Sequence, residues 1–131
     1  MWTAENWKDY ELLDCGGGEK LERWDRQVLV RPDPQAIWET DKTGRVWRSA
    51  NGRYSRRSKS GGGEWTVHRM PQEWNISYGN LRFLLKPMGF KHTGLFPEQA
   101  VNWDWFSEII GDAVRSGRSV KVLNLFAYTG G

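Results

Sequence analysis

The sequence predicts an α+β fold: a β-rich N-terminal region of antiparallel hairpins, followed by one helix and one strand that begin an α/β domain. Three observations carry this. From Tyr10 to Leu85, short apolar runs alternate with turn-forming glycine, proline and asparagine. Between Pro97 and Gly117, apolar residues recur at helical spacing. At the end, Val122-Leu123-Asn124-Leu125-Phe126 runs into Ala127-Tyr128-Thr129-Gly130-Gly131, which reads as a buried parallel strand entering a tight, glycine-ended loop.

The elements follow in order. Tyr10 to Asp14 reads as a short strand, stopped by Cys15-Gly16-Gly17-Gly18, because three glycines lose too much backbone entropy inside an element. Glu19 to Arg23 reads as a charged connection. Trp24 to Val30 reads as a strand, ended by Arg31-Pro32-Asp33-Pro34. Ala36-Ile37-Trp38 and Arg45-Val46-Trp47 flank Asp41-Lys42-Thr43-Gly44, the pattern of a hairpin with Trp38 and Trp47 as cross-strand partners. Asn51-Gly52 is a turn signal, and Ser58 to Gly63 a loop tip. Glu64 to Arg69 resumes as a strand. Trp74 to Tyr78 and Leu81 to Leu85 flank Gly79-Asn80, a two-residue hairpin turn. A helix starts near Pro97-Glu98-Gln99, with proline and an acid in its first turn. Val101, Trp105, Ile109 and Ala113, with Phe106 and Ile110 beside them, form its apolar face; Trp103 and Trp105 cannot both face a core from one helix. Gly117 ends it, and Ser119 to Phe126 is the last strand.

Composition sets wider bounds. The 131 residues suffice for a real core, and nine tryptophans argue against disorder despite a mean hydropathy of −0.72. The net charge of +3 does not by itself select a nucleic-acid partner. A single cysteine, Cys15, rules out an internal disulfide and fits a reducing, cytoplasmic location. No apolar run approaches the roughly 20 residues that span a bilayer, so no membrane partner is expected. His68, His92 and Cys15 lie too far apart to suggest a metal site.

Two stretches together carry a family resemblance. Val122 to Gly131, with its Phe126-Ala127-Tyr128-Thr129-Gly130-Gly131 turn, resembles the first cofactor motif of class I S-adenosylmethionine-dependent methyltransferases. The branch it is most similar to is the group related to bacterial ribosomal RNA large subunit cytosine-C5 methyltransferases. Phe90-Lys91-His92-Thr93-Gly94-Leu95-Phe96-Pro97-Glu98-Gln99 resembles that group's segment ahead of the first helix. The general class has an acid where Asn124 stands and a glycine where Phe126 stands; this chain departs from the class pattern there and fits the branch.

The resemblance implies an enzyme that transfers a methyl group from S-adenosylmethionine to RNA, at cytosine C5 of ribosomal RNA. It implies cofactor contacts from Asn124, Phe126, Ala127, Tyr128, Thr129, Gly130 and Gly131, with Phe96, Glu98 and Gln99 beside them. The glycines allow close backbone approach, and amides near Thr129 suit a carboxylate. Residues 1–89 would then be an accessory, substrate-recognition region, and residues 90–131 the start of a Rossmann-like methyltransferase domain, incomplete here. No catalytic residue is assigned. The cysteine that would attack C6 of a cytosine belongs to a later motif, to which Cys15 does not match. The chain is accordingly expected to be the front part of an enzyme, inactive alone, with an apolar strand free to self-associate. The same cofactor motif equally allows a protein substrate.

A second candidate site is basic. Between Lys42 and Lys59 there are seven bases and no acid. Arg45, Trp47, Arg48, Arg53, Tyr54, Arg56, Arg57 and Lys59 mix cations with aromatics, as single-stranded RNA binding requires. The competing reading is a solvated hairpin whose arginine stems cover the rings. The corresponding rival for the whole chain is a non-enzymatic β-rich module that binds RNA or protein.

Overall fold

The computed structural model describes residues 2–56 and 62–130. It divides into two compact units: Trp7–Gly94, and Met1–Asn6 together with Leu95–Gly131.

The first unit is built on a five-stranded sheet in sequential order, β1 (Tyr10–Gly16), β2 (Glu19–Trp24), β3 (Gln27–Pro32), β4 (Gly52–Arg56) and β5 (Gly63–Val67). A two-stranded hairpin joins β6 (Trp74–Tyr78) to β7 (Leu81–Leu85) through Gly79-Asn80, as the turn residues predict, with Gly79 at φ +53°.

The strand expected over Tyr10–Asp14 runs on through Cys15 and Gly16, and the one expected over Trp24–Val30 is split, Trp24 ending β2 and Gln27 starting β3. Three further expectations are corrected. Glu19 to Arg23 is not a connection but most of β2, paired on one side with β1 and on the other with β3. A strand so charged persists because its charges have partners: Arg23 meets Glu11 on β1, and Glu22 meets Arg31 on β3. Next, residues 36–47 form no hairpin. The Asp41 carboxylate accepts the Thr43 amide at 2.8 Å and its hydroxyl at 2.6 Å, a local turn that leads into the short helix α1 (Arg45–Arg48). Trp38 and Trp47 are therefore not cross-strand partners. Last, the sheet is not all antiparallel: β3 and β4 run parallel through Leu29↔Gly52 and Val30↔Arg53. The long crossover that this requires is the segment containing α1, and Asn51 clamps its end by donating to Val28 O and accepting from Val28 N, each at 2.7 Å.

Alternation places Leu21 and Val30 opposite each other on one face, where they pack with Trp47, Leu13, Val28 and Ala50. The other face carries Trp24, Leu29 and the buried charges Glu22 and Arg31. Gly63 is needed where β5 passes the ring of Tyr54, because a Cβ there would lie 2.7 Å from that ring and 2.3 Å from Ser55 O.

In the second unit, a 3₁₀ turn (Pro97–Gln99) leads into α2 (Ala100–Arg115). Gly117, at φ +75°, closes the helix: its amide donates to Val114 O and that of Arg118 to Ala113 O. The predicted apolar face is only partly used. Ala100, Trp103 and Ala113 are buried, whereas Trp105, Phe106 and Ile109 are exposed. A strict four-residue spacing drifts about 40° per step around a helix of 3.6 residues per turn, so Val101 and Ala113, three steps apart, stand about 120° apart and do not share one face. The predicted strand at 119–126 is also corrected. These residues join no ladder, since a strand exists only through its neighbours and none of the described strands pairs with them.

Candidate cofactor loop and the basic segment

Residues 124–130 form an exposed loop with unusual backbone. Phe126 and Tyr128 stand at φ +59° and +53°, and Gly130 at +96°. Left-handed geometry suits glycine; in an aromatic residue it costs of order 1–2 kcal/mol and calls for a reason. A tight turn closes the loop, with the Gly130 amide donating to Ala127 O at 2.7 Å. Alternate left-handed residues turn the Phe126 side chain fully to solvent, at 101% exposure, and lay Tyr128 against Phe96, with ring centroids 5.1 Å apart and planes at 45°.

The structure thus brings Phe96 together with Tyr128, two residues far apart in sequence that share the expected site. Glu98 and Gln99 follow Phe96 in the 3₁₀ turn and are exposed; Gln99 Oε1 accepts from Asn102. Asn124 and Thr129 are exposed and Ala127 half-buried. Gly131 lies outside the described residues. This loop sets an aromatic pair beside an exposed turn, ring surface that a purine-bearing cofactor can use.

The basic segment is taken apart by the fold. Trp47 is 5% exposed, with its Nε1 donating to Asp14 Oδ2 at 2.7 Å, and Tyr54 is 3% exposed, edge-on to Trp65. Neither ring can stack on a base, which corrects that part of the expected RNA site. Two of the cations are spent on one acid: Glu19 takes Lys42 at 2.8 Å and Arg53 at 2.5 Å. Burial pushes the Glu19 carboxyl up, but hydrogen bonds and charge from Lys42 and Arg53 outweigh it and hold it below its ordinary range. Arg48 Nε donates to Thr43 O. Arg45 and Arg56 are exposed; Arg57 and Lys59 lie outside the described residues. Reading along the chain missed Glu19 because it precedes Lys42 by 23 residues, so no local signal announces the pairing.

Elsewhere, Asp14 accepts from Trp47, Thr40 Oγ1 and the Cys15 amide, and the Trp47 bond foremost lowers its carboxyl. Among the described residues, no helix is long and apolar enough to cross a membrane.

No protein-family model matches the chain, and no curated protein does. Among solved structures it is similar to the SAM-dependent methyltransferase from Agrobacterium tumefaciens, at 36% identity and a TM-score of 0.82. The match covers 95% of this chain and 39% of that one, so the chain spans about two fifths of its neighbour's length.

Proposed function

We propose that this chain is part of a cytoplasmic S-adenosylmethionine-dependent methyltransferase acting on RNA, with cytosine C5 of ribosomal RNA as the target implied by the branch it resembles. The observation that carries the methyl-transfer reading is a likeness that extends over nearly the whole chain to an enzyme using that cofactor. The geometry of the loop supports it: two aromatic residues accept left-handed backbone where one of them packs on Phe96.

When bound, the cofactor supplies an electrophilic methyl group. Asn124, Phe126, Ala127, Tyr128, Thr129, Gly130 and Gly131 would hold it. Phe96 and Tyr128 present ring surface beside the turn at 127–130. Glu98 and Gln99 supply exposed polar groups beside Phe96. In this reading residues 90–131 begin a Rossmann-like domain, whose further strand–helix units complete the pocket and supply the reacting groups.

The test is calorimetric titration of S-adenosylhomocysteine into this chain and into a version extended by the remaining segment of the Agrobacterium tumefaciens neighbour. Binding by the extended version, abolished by Tyr128→Ala, is the expected result. A folded extended version that does not bind the cofactor product overturns the proposal.

A further inference from the structure

The aromatics of the basic segment are buried, but another aromatic in the same unit is not. Phe90 is 55% exposed, at the tip of a turn formed by residues 86–93, in which the Lys86 amide donates to Thr93 O at 3.2 Å. Three side chains from the sheet hold the backbone of this tip. Trp65 Nε1 donates to Met88 O at 2.8 Å, Tyr54 OH to Gly89 O at 3.4 Å, and Arg31 Nη1 to Lys91 O at 3.0 Å. Arg31 is itself fixed, bidentate on Glu22 at 2.6 and 2.8 Å. An exposed ring on a pinned backbone loses little conformational freedom on binding.

Cations gather around it. Lys91 Nζ lies 3.5 Å from Pro32 O, at the end of β3. Lys20 stands opposite Arg31 in the β2–β3 register. Arg56 lies three residues beyond Arg53, which pairs with Val30, so the parallel register carries it level with the end of β3. Burial, then the charges of Arg56, Lys20 and Arg31, push the Lys91 ammonium below its ordinary range, and Asp33 alone opposes them. Of the acids facing the cluster, Glu22 is already satisfied by Arg31, Lys20 and Tyr10. The charge left over is positive, and an incoming anion relieves the crowding at Lys91.

We propose that Lys91 and Arg56 bind the phosphates of a single-stranded RNA, with a base stacked on Phe90. This rests on the RNA reading above and moves its contact from the segment at residues 45–59 to the turn at 86–93, keeping only Arg56. An acidic peptide would use the cations but has no need of an exposed, rigid ring; a nucleic acid uses both.

The test is fluorescence anisotropy of labelled oligouridine of about 12 nucleotides, titrated with the 131-residue chain between about 50 and 200 mM salt. The variants are Lys91→Ala, Lys91→Arg, Arg56→Ala, Phe90→Ala and the pair Arg45→Ala/Arg48→Ala. Lys91→Ala and Arg56→Ala are each expected to weaken binding several-fold and lower the salt slope by about one. Phe90→Ala is expected to weaken it about tenfold with the slope unchanged. Lys91→Arg and the Arg45/Arg48 pair keep wild-type affinity. Arg56 and Phe90 are exposed, so their variants report binding even if Lys91→Ala disturbs the fold. Weakening by the Arg45/Arg48 pair alone leaves the RNA reading standing and overturns this site. Wild-type protein that ignores RNA at the lowest salt overturns both. Competition by polyglutamate as strong as that by unlabelled RNA overturns the assignment to nucleic acid.

Discussion

In the sheet unit, Glu22 and Arg31 are taken fully out of water, and every charge on them has a partner: two bonds between the pair, and further bonds from Tyr10 and to Lys91 O. In the unit that contains α2, the reverse holds for apolar groups. Trp105, Ile109, Leu123 and Phe126 face solvent, with Leu123 at 80% exposure. One unit has closed its internal accounts to the point of burying an ion pair, which is tolerable only when geometry and hydrogen bonds are complete. The other presents ring surface and backbone that its own residues do not cover. Stability is thus expected to reside in the sheet, and ligand chemistry in residues that contribute little to it.

The largest expected effect tests the first half of that contrast. Glu22→Gln leaves the Arg31 guanidinium buried without its counter-charge, and should destabilise the chain by about 3–5 kcal/mol. Urea denaturation followed by tryptophan fluorescence measures it. Replacing both residues, as Glu22→Leu with Arg31→Met, should recover much of that loss, because a buried pair is weakly favourable relative to well-packed apolar side chains. A recovery near zero would mean that the pair is wanted for its hold on Lys91 O rather than for charge balance.

A matched pair of leucines compares the units directly. Leu21 is fully buried and packs with Val30 and Trp47, so Leu21→Ala should cost about 2–5 kcal/mol. Leu123→Ala, on exposed chain, should stay within about 0.5 kcal/mol. Equal losses by the same denaturation assay would show that residues 119–126 are packed in solution, by self-association or otherwise, and sedimentation would identify the first.

The acid limb of stability belongs to the sheet unit as well. Burial raises the Glu22 carboxyl, but the Arg31 charge and hydrogen bonds outweigh it, and its value falls below the ordinary 4.5. Glu19 is lowered in the same way by Lys42 and Arg53. Below about pH 4.5 the unfolded chain therefore binds protons that the folded one still refuses. Stability is full above that pH and declines as pH falls through the lowered folded values. Thermal melts in this range should show a decline that flattens in Glu22→Gln; an unchanged decline would move its origin to other carboxylates.

What could be read along the chain follows the same division. The β6–β7 hairpin was legible because its information is local: two apolar runs and Gly79-Asn80 between them. So was the end of α2, at Gly117. Strand β2 was not, because the partners that make Glu19, Glu22 and Arg23 acceptable in a strand come from Lys42, Arg53, Arg31 and Glu11, all on other segments. The hairpin expected across Asp41–Gly44 failed because Asp41 bonds its own neighbours and starts a helix, a choice decided by one side chain. Trp47 and Tyr54 were placed in a candidate RNA site because their burial depends on what the sheet sets over them, which the segment's own sequence does not show. The turn at 127–130 was legible from its glycine-ended sequence, whereas the contact of Tyr128 with Phe96 required the fold.

The smallest expected effect on stability is the most telling about function. Phe126 and Tyr128 hold left-handed backbone in a loop that contributes no ladder bonds and buries little. Tyr128→Gly removes the steric cost of that conformation, about 1–2 kcal/mol, and adds the unfolded-state freedom of glycine, about 0.5–1 kcal/mol in the opposite sense. The two nearly cancel, and loss of the ring contact with Phe96 takes up the remainder. The midpoint in urea should therefore hardly move, while S-adenosylhomocysteine binding by the extended version should be lost. If Tyr128→Gly instead destabilises the chain by as much as Leu21→Ala does, the tyrosine is a packing residue whose backbone is dictated by the core. If it changes neither quantity, the left-handed tyrosine serves no cofactor, and the proposed division between a stabilising sheet and a ligand-bearing loop is wrong at its most specific point.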